Sequence, residues 1–199
     1  AAAEFVHSRI EGRLLRCKER VYIRDETKLW STGDKETQRL VENAVAQMHV
    51  FGVGTKGKLQ TVSRNHATLQ QIAKRVIATA PDDPEFLDRM YQETRLKLPY
   101  TDGHYCFRER TFKPELVDCM ARVPKNFPKR VQADIDEVLK RILNPIFDRD
   151  GKKQRACLTW MARGLAGHVE DKSWAVVLGE RNSGKGVLTG LCELAFSSS

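Results

Sequence analysis

The sequence has no apolar stretch approaching the roughly 20 residues that a membrane helix needs; the run Ala175–Leu178 is among its longest. It also lacks a signal-peptide hydrophobic region at the N-terminus, so a soluble, intracellular protein is expected. Paired cysteines are equally missing. Cys17, Cys106, Cys119, Cys157 and Cys192 are odd in number, scattered, and never spaced Cys-x-x-Cys, which argues against a disulfide framework and against a zinc site. His104 and Cys106 form a lone His-x-Cys pair; without a second pair at ligand spacing, a structural role in a hairpin is expected and no metal is assigned. Acidic residues are the scarcer charge: 34 Lys and Arg against 26 Asp and Glu leave a formal net charge of +8. That balance permits polyanionic partners, because cationic side chains gain affinity for nucleic acid by releasing condensed counterions.

What is present suits a folded protein. A 41% hydrophobic content over 199 residues allows one sizeable domain or two small ones. Both ends read as vector-encoded: Ala1-Ala2-Ala3-Glu4-Phe5 as a cloning scar, Ser197-Ser198-Ser199 as equally artificial, and the chain as a cloned fragment. Between them, helical spacing of Phe5, Val6, Ile10 and Leu14 predicts a helix to Leu15, followed by a β-type run at Arg20–Ile23. Asp25-Glu26-Thr27 turns that run into Lys28–Ser31, a hairpin. Asp34 is an N-cap for a helix through about Met48, and Gly52–Lys58 reads as an exposed Gly/Lys connector. Ser63 is expected to cap a helix from Arg64 to Ala80, and Asp83-Pro84 to start another to about Arg95. A second hairpin is expected between Leu96 and Phe112, with Thr101-Asp102-Gly103 as its turn. Pro114, Pro124 and Pro128 mark an irregular linker, after which packed helices are expected at Val131–Leu143 and Lys152–Leu165. Asp148-Arg149-Asp150-Gly151 lacks the third oxygen ligand and the later glutamate of a calcium loop, so a turn and helix cap is expected there.

Chemistry concentrates near the C-terminus. Trp174–Leu178 reads as a buried parallel strand leading into Gly179-Glu180-Arg181-Asn182-Ser183-Gly184-Lys185-Gly186, the Gly-x-x-x-x-Gly-Lys of a phosphate loop, and then into a helix carrying Val187, Leu188, Leu191 and Leu194. Gly179 and Gly184 let the backbone curl so that successive amides face phosphate oxygens, and the helix N-terminus adds its positive dipole end. Lys185 is the residue expected to reach the β- and γ-phosphates. The eighth position departs from the pattern: Gly186 stands where a Ser or Thr hydroxyl ordinarily ligates magnesium, so no protein metal ligand is assigned, with Ser183 and Thr189 as the hydroxyls nearby. No complete catalytic set is expected. Hydrolysis needs an acidic residue on a second strand and a group positioning water, and thirteen residues follow Gly186.

In this order of features the chain resembles the superfamily III helicases of the poxvirus and phage primase-helicase type. The resemblance rests on Tyr22–Trp30 as a hairpin ending in tryptophan, on Leu98–Tyr105 as an apolar, turn, Asx-Gly, apolar segment, on Phe112-Lys113-Pro114, and on Asn182-Ser183-Gly184-Lys185. It runs through nearly the whole chain, with Asp102 where the family often has asparagine. It implies a mainly α (α+β) helical domain with two short β-hairpins, followed by the first strand and P-loop of an α/β ATPase. The corresponding divisions are residues 6–113 for the N-terminal module, 114–170 for a helical linker or collar, and 171–199 for the start of the ATPase. It further implies a ring-forming, hexameric, ATP- and Mg²⁺-dependent DNA helicase at a viral or mobile-element fork, in a host cytoplasm or viral replication site. No nucleotide is expected to stay tightly bound to this chain alone. The competing reading is a non-catalytic DNA-binding or oligomerisation module, resting on the basic charge. A small-molecule or nucleotide kinase shares the loop, but such kinases commonly place it near the N-terminus, whereas more than 170 residues come before it here.

Overall fold

The computed structural model describes residues 8, 10–32, 35, 39, 42–43, 51–53, 59–61, 65–129, 131–168 and 175–197. The chain is of mixed α+β class and divides into two compact units, residues 1–91 and 92–199.

In the first unit, strands β1 (Leu14–Cys17), β2 (Arg20–Arg24) and β3 (Trp30–Thr32) form an antiparallel sheet in that order. Lys18 and Glu19 join β1 to β2 with φ of 48° and 66°, the two positive values that a tight type I′ hairpin requires. The β2–β3 loop is closed by Asp25, whose Oδ1 accepts from the amides of Thr27 and Leu29 at 2.8 and 2.9 Å. Helices α1 (His66–Ala78) and α2 (Phe86–Thr94) follow. Because strand side chains alternate, the sheet has two apolar faces. Leu14 and Ile23 pair across the ladder and pack with Ile72, Ala73 and Val76 of α1. Cys17, Tyr22 and Trp30 point the other way and pack with Phe86 and Met90 of α2. Phe86 touches both aromatics, at 5.0 Å from Tyr22 and 4.8 Å edge-on from Trp30; such pairs add about 0.5–1.5 kcal/mol each beyond area burial. Arg16 fastens the layers, its guanidinium donating to the last carbonyls of α1 at Ile77 and Ala78 while its backbone pairs with Pro81 and Asp83. A separate hairpin joins β4 (Phe51–Val53) to β5 (Leu59–Thr61).

In the second unit, β6 (Lys97–Pro99), β7 (His104–Cys106) and β8 (Thr111–Lys113) form another antiparallel sheet. The turn at Asp102-Gly103 lies against β8 so closely that a Cβ on Gly103 would stand 2.2 Å from the Lys113 carbonyl oxygen. Asp102 accepts from the Phe127 amide at 2.8 Å, and Phe127 stacks on Phe112 and Tyr105, at 4.6 and 5.7 Å. That bond needs only a side-chain oxygen, which Asp and Asn both supply. His104 is buried with Nδ1 2.9 Å from the Glu115 carbonyl. Helix α3 (Gln132–Val138) runs through a π-helical turn (Leu139–Leu143) into α4 (Asn144–Ile146). Pro145 has no amide to donate and its ring crowds the preceding turn, which the wider winding relieves. Asp150 then caps α5 (Gly151–Leu165), accepting from the amides of Lys152 and Lys153. Helix α6 (Lys185–Phe196) completes the unit.

Several expectations change. Leu14 and Leu15 lie in β1, because pairing with Ile23 and Tyr22 overrides their helical spacing; residues 5–7 are outside the described residues. Each expected hairpin gains a third strand, β1 in one sheet and β8 in the other. Gly52 and Val53 belong to a strand rather than a loop, and the cap of α1 is Asn65, which accepts from the Thr68 amide at 2.8 Å; Asp34, Met48 and Ser63 lie outside the described residues. Most clearly, α3 and α5 form without burying any residue fully. Trp160 remains 44% exposed.

Two outcomes follow from these contacts. Gly103→Ala should lower the unfolding free energy by about 3 kcal/mol through overpacking, read from the denaturant midpoint by circular dichroism. The Arg89 guanidinium on Asp83 holds its carboxyl below the ordinary value of 3.8. A depressed folded pKa contributes stability that is present above the unfolded value and lost as pH falls through the folded one. Asp83→Asn should therefore make thermal stability less dependent on pH below about 4, measured as Tm across that range.

Candidate nucleotide-phosphate site

The Gly-x-x-x-x-Gly-Lys segment folds as a closed loop that feeds directly into α6. Asn182 and Gly184 carry φ of 65° and 83°, left-handed values that turn the chain back sharply, and the Ser183 amide donates to the Glu180 carbonyl at 3.3 Å. Gly184 is the N-cap of α6 and offers no side chain to its first turn. The Leu188 amide makes the first ladder bond, to the Gly184 carbonyl, so the amides of Lys185, Gly186 and Val187 have no acceptor within the helix. With the aligned peptide dipoles they make this end of the helix attractive to anions.

Lys185 folds back over the loop. Its Nζ donates to the Gly179 carbonyl at 2.9 Å, the Glu180 carbonyl at 2.8 Å and Ser183 Oγ at 2.9 Å, three acceptors for the three N–H bonds of an ammonium. Gly179 and Ser183 are drawn so near that a Cβ on Gly179 would stand 2.7 Å from Ser183 Oγ. The loop thus gathers Gly179, Glu180 and Ser183 around the Lys185 cation, while Glu180, Arg181, Asn182 and Gly186 are exposed. Such a ring of oxygens holds the lysine near the helix N-terminus, where an anion would find both.

Residue types fit a phosphate better than they fit magnesium. Gly186 carries no hydroxyl and has open space where a Cβ would stand. Ser183 Oγ is engaged by Lys185, and Thr189 Oγ1 donates to the Gly186 carbonyl at 3.0 Å. No group of three His, Cys, Asp or Glu side chains able to hold a metal occurs among the described residues. The expected strand does not form: residues 175–178 enter no sheet among the described residues, and Val176, Val177 and Leu178 are 60%, 53% and 87% exposed. Trp174 lies outside the described residues.

Two supports of the loop had no signal in the sequence. Ile146, at the end of α4, packs against Gly184 so that a Cβ there would stand 2.7 Å from Ile146 Cγ1. Lys125 donates to the Leu194 carbonyl near the far end of α6, placing its charge at the negative end of the helix dipole. Cys157 of α5 has its thiol pKa pushed up by burial and then by Cys192 of α6. No family model matches the chain, and no curated protein is significantly similar to it.

Gly184→Ala meets both a left-handed backbone and the Ile146 side chain, and should destabilise the loop and the start of α6 by about 1–2 kcal/mol. Amide hydrogen exchange across residues 179–190 should rise in this variant while β6–β8 keep their protection.

Proposed function

We propose that the loop from Gly179 to Gly186 binds the phosphates of a nucleoside triphosphate, ATP in particular, and that the chain is the pre-ATPase region and phosphate loop of a superfamily III-type DNA helicase. The observation that carries the first part is the position of the Lys185 ammonium, held by the loop's own oxygens at the start of an uncapped helix. On phosphate binding, Lys185 exchanges carbonyl acceptors for charged phosphate oxygens, a stronger charge-assisted contact. The backbone amides of the loop and of the first turn of α6 supply the remaining donors.

The second part is supported by the exposed, apolar Ala175–Leu178 segment directly before the loop. An apolar run with unpaired backbone suits addition to a sheet whose other strands lie alongside it. Turnover further requires an acidic residue on a neighbouring strand and a water-positioning group, so the residues of this loop account for binding rather than hydrolysis. The hexameric ring and the DNA substrate come from the resemblance alone. The competing reading, a DNA-binding or oligomerisation module without catalysis, draws on the net charge of +8 alone.

Titration of the full chain with a fluorescent ATP analogue separates these readings. Saturable binding that Lys185→Ala weakens by tenfold or more supports the phosphate site; equal binding by wild type and variant sinks it. Gly186→Thr has room for its side chain and restores the hydroxyl position, so it should make nucleotide affinity increase on adding Mg²⁺ more than it does in the wild type.

A further inference from the structure

We infer that the cleft between the π-helical turn and the start of α5 is a binding site for the phosphate backbone of a nucleic acid. The cleft is open, with a volume of about 480 Å³, and is lined by Lys140, Asn144, Pro145, Asp148 and Arg149. It exists because the chain reverses there: after the π turn and Pro145, Asp148 and Arg149 take φ of 50° and 59°, and the Arg149 amide ties back to the Asn144 carbonyl at 2.8 Å. Two cationic side chains thus line one opening. Neither Lys140 nor Arg149 has an acidic partner among the described residues, and both are exposed.

The surroundings are cationic as well. From Leu139 to Arg155 the chain carries six basic residues against two acidic ones, Asp148 and Asp150. Asp150 is committed to capping α5, with its carboxyl pKa lowered by the Lys153 and Lys152 amides that it accepts from. Arg141 is paired with Glu137, and Lys153 with Asp150. Lys140, Arg149, Lys152 and Arg155 are therefore the cations open to an outside anion, and Asp148 is the one carboxylate that subtracts from them inside the cleft. Asn144 adds a neutral donor and acceptor at its wall. A chain of phosphodiesters matches this arrangement better than a single small anion, because the cations extend from the cleft onto the first turns of α5. Trp160, exposed two turns further along α5, offers a face on which an unstacked base can lie.

This inference does not rest on the nucleotide-phosphate reading, and its test keeps the two apart. Anisotropy of a labelled oligothymidylate of about 20 nucleotides is measured with the full chain over a salt series. The wild type should bind with an affinity that falls steeply with salt. Lys140→Glu with Arg149→Glu should weaken binding at low salt by tenfold or more, and the neutral pair Lys140→Gln with Arg149→Gln by a smaller factor. With two phosphates released, the slope of log affinity against log salt should shrink by about 1.4. The charge-matched pair Lys18→Glu with Lys74→Glu, on exposed positions of the first unit, should change affinity by less than twofold. Lys185→Ala should bind the oligonucleotide as the wild type does. Equal losses in the two Glu pairs would mean that net charge alone is being read, and would overturn the site. So would wild-type binding by both cleft variants, or no binding by the wild type; full displacement by millimolar inorganic phosphate would assign the cleft to a small anion instead.

Discussion

A β-strand must satisfy its backbone and cover its side chains at the same time, and this double requirement separates the settled parts of the chain from the exposed ones. In the first unit it is met from both sides. The sheet β1–β3 pairs its backbone internally, α1 covers Leu14 and Ile23, and Phe86 of α2 covers Tyr22 and Trp30. Arg16 links the sheet to the end of α1 with its side chain and to the 81–83 segment with its backbone. Ala175–Leu178 has the same kind of residues and meets neither requirement among the described residues.

The second unit is organised by close approach rather than by layers. Gly103 leaves no space for a Cβ against β8, and this brings Asp102 to the Phe127 amide and Phe127 onto Phe112 and Tyr105. Backbone bonds from Thr101 to Lys125 and from Val123 to Pro99 extend the same seam. Lys125, on that seam, also reaches the end of α6. The helix behind the loop is thereby tied to the aromatic sheet at one end and to Ile146 at the other.

That arrangement bears on both proposals. Ile146 follows two cleft-lining residues, Asn144 and Pro145, and its side chain meets Gly184 at the start of α6. A ligand that moves the 144–149 turn would press on the loop holding Lys185, and a nucleotide that draws Lys185 outward would act on the same contact. Any coupling between the two sites would run in both directions, since coupling free energies are reciprocal.

Local pattern determined a good deal by itself. The β-branched and aromatic run at Arg20–Arg24, the Asp25 turn, the Asp150 cap and the glycine-lysine loop ahead of α6 are each written in a few adjacent residues, and each forms where those residues stand. The α+β class follows from them. Tertiary structure decided what adjacent residues cannot encode. Leu14 became a strand residue because Ile23 offered a partner; Asn65 became the cap of α1, where its oxygen meets the Thr68 amide. The helical spacing of α3 and α5 predicted helices correctly but could not say whether a surface would arrive to cover them, and none among the described residues covers them fully. The same holds for the strand expected before the loop, since pairing needs a neighbour and a sequence pattern records only the capacity to pair. Lys140 and Arg149, nine positions apart in sequence, met in one cleft only because a π turn and two left-handed residues reversed the chain between them.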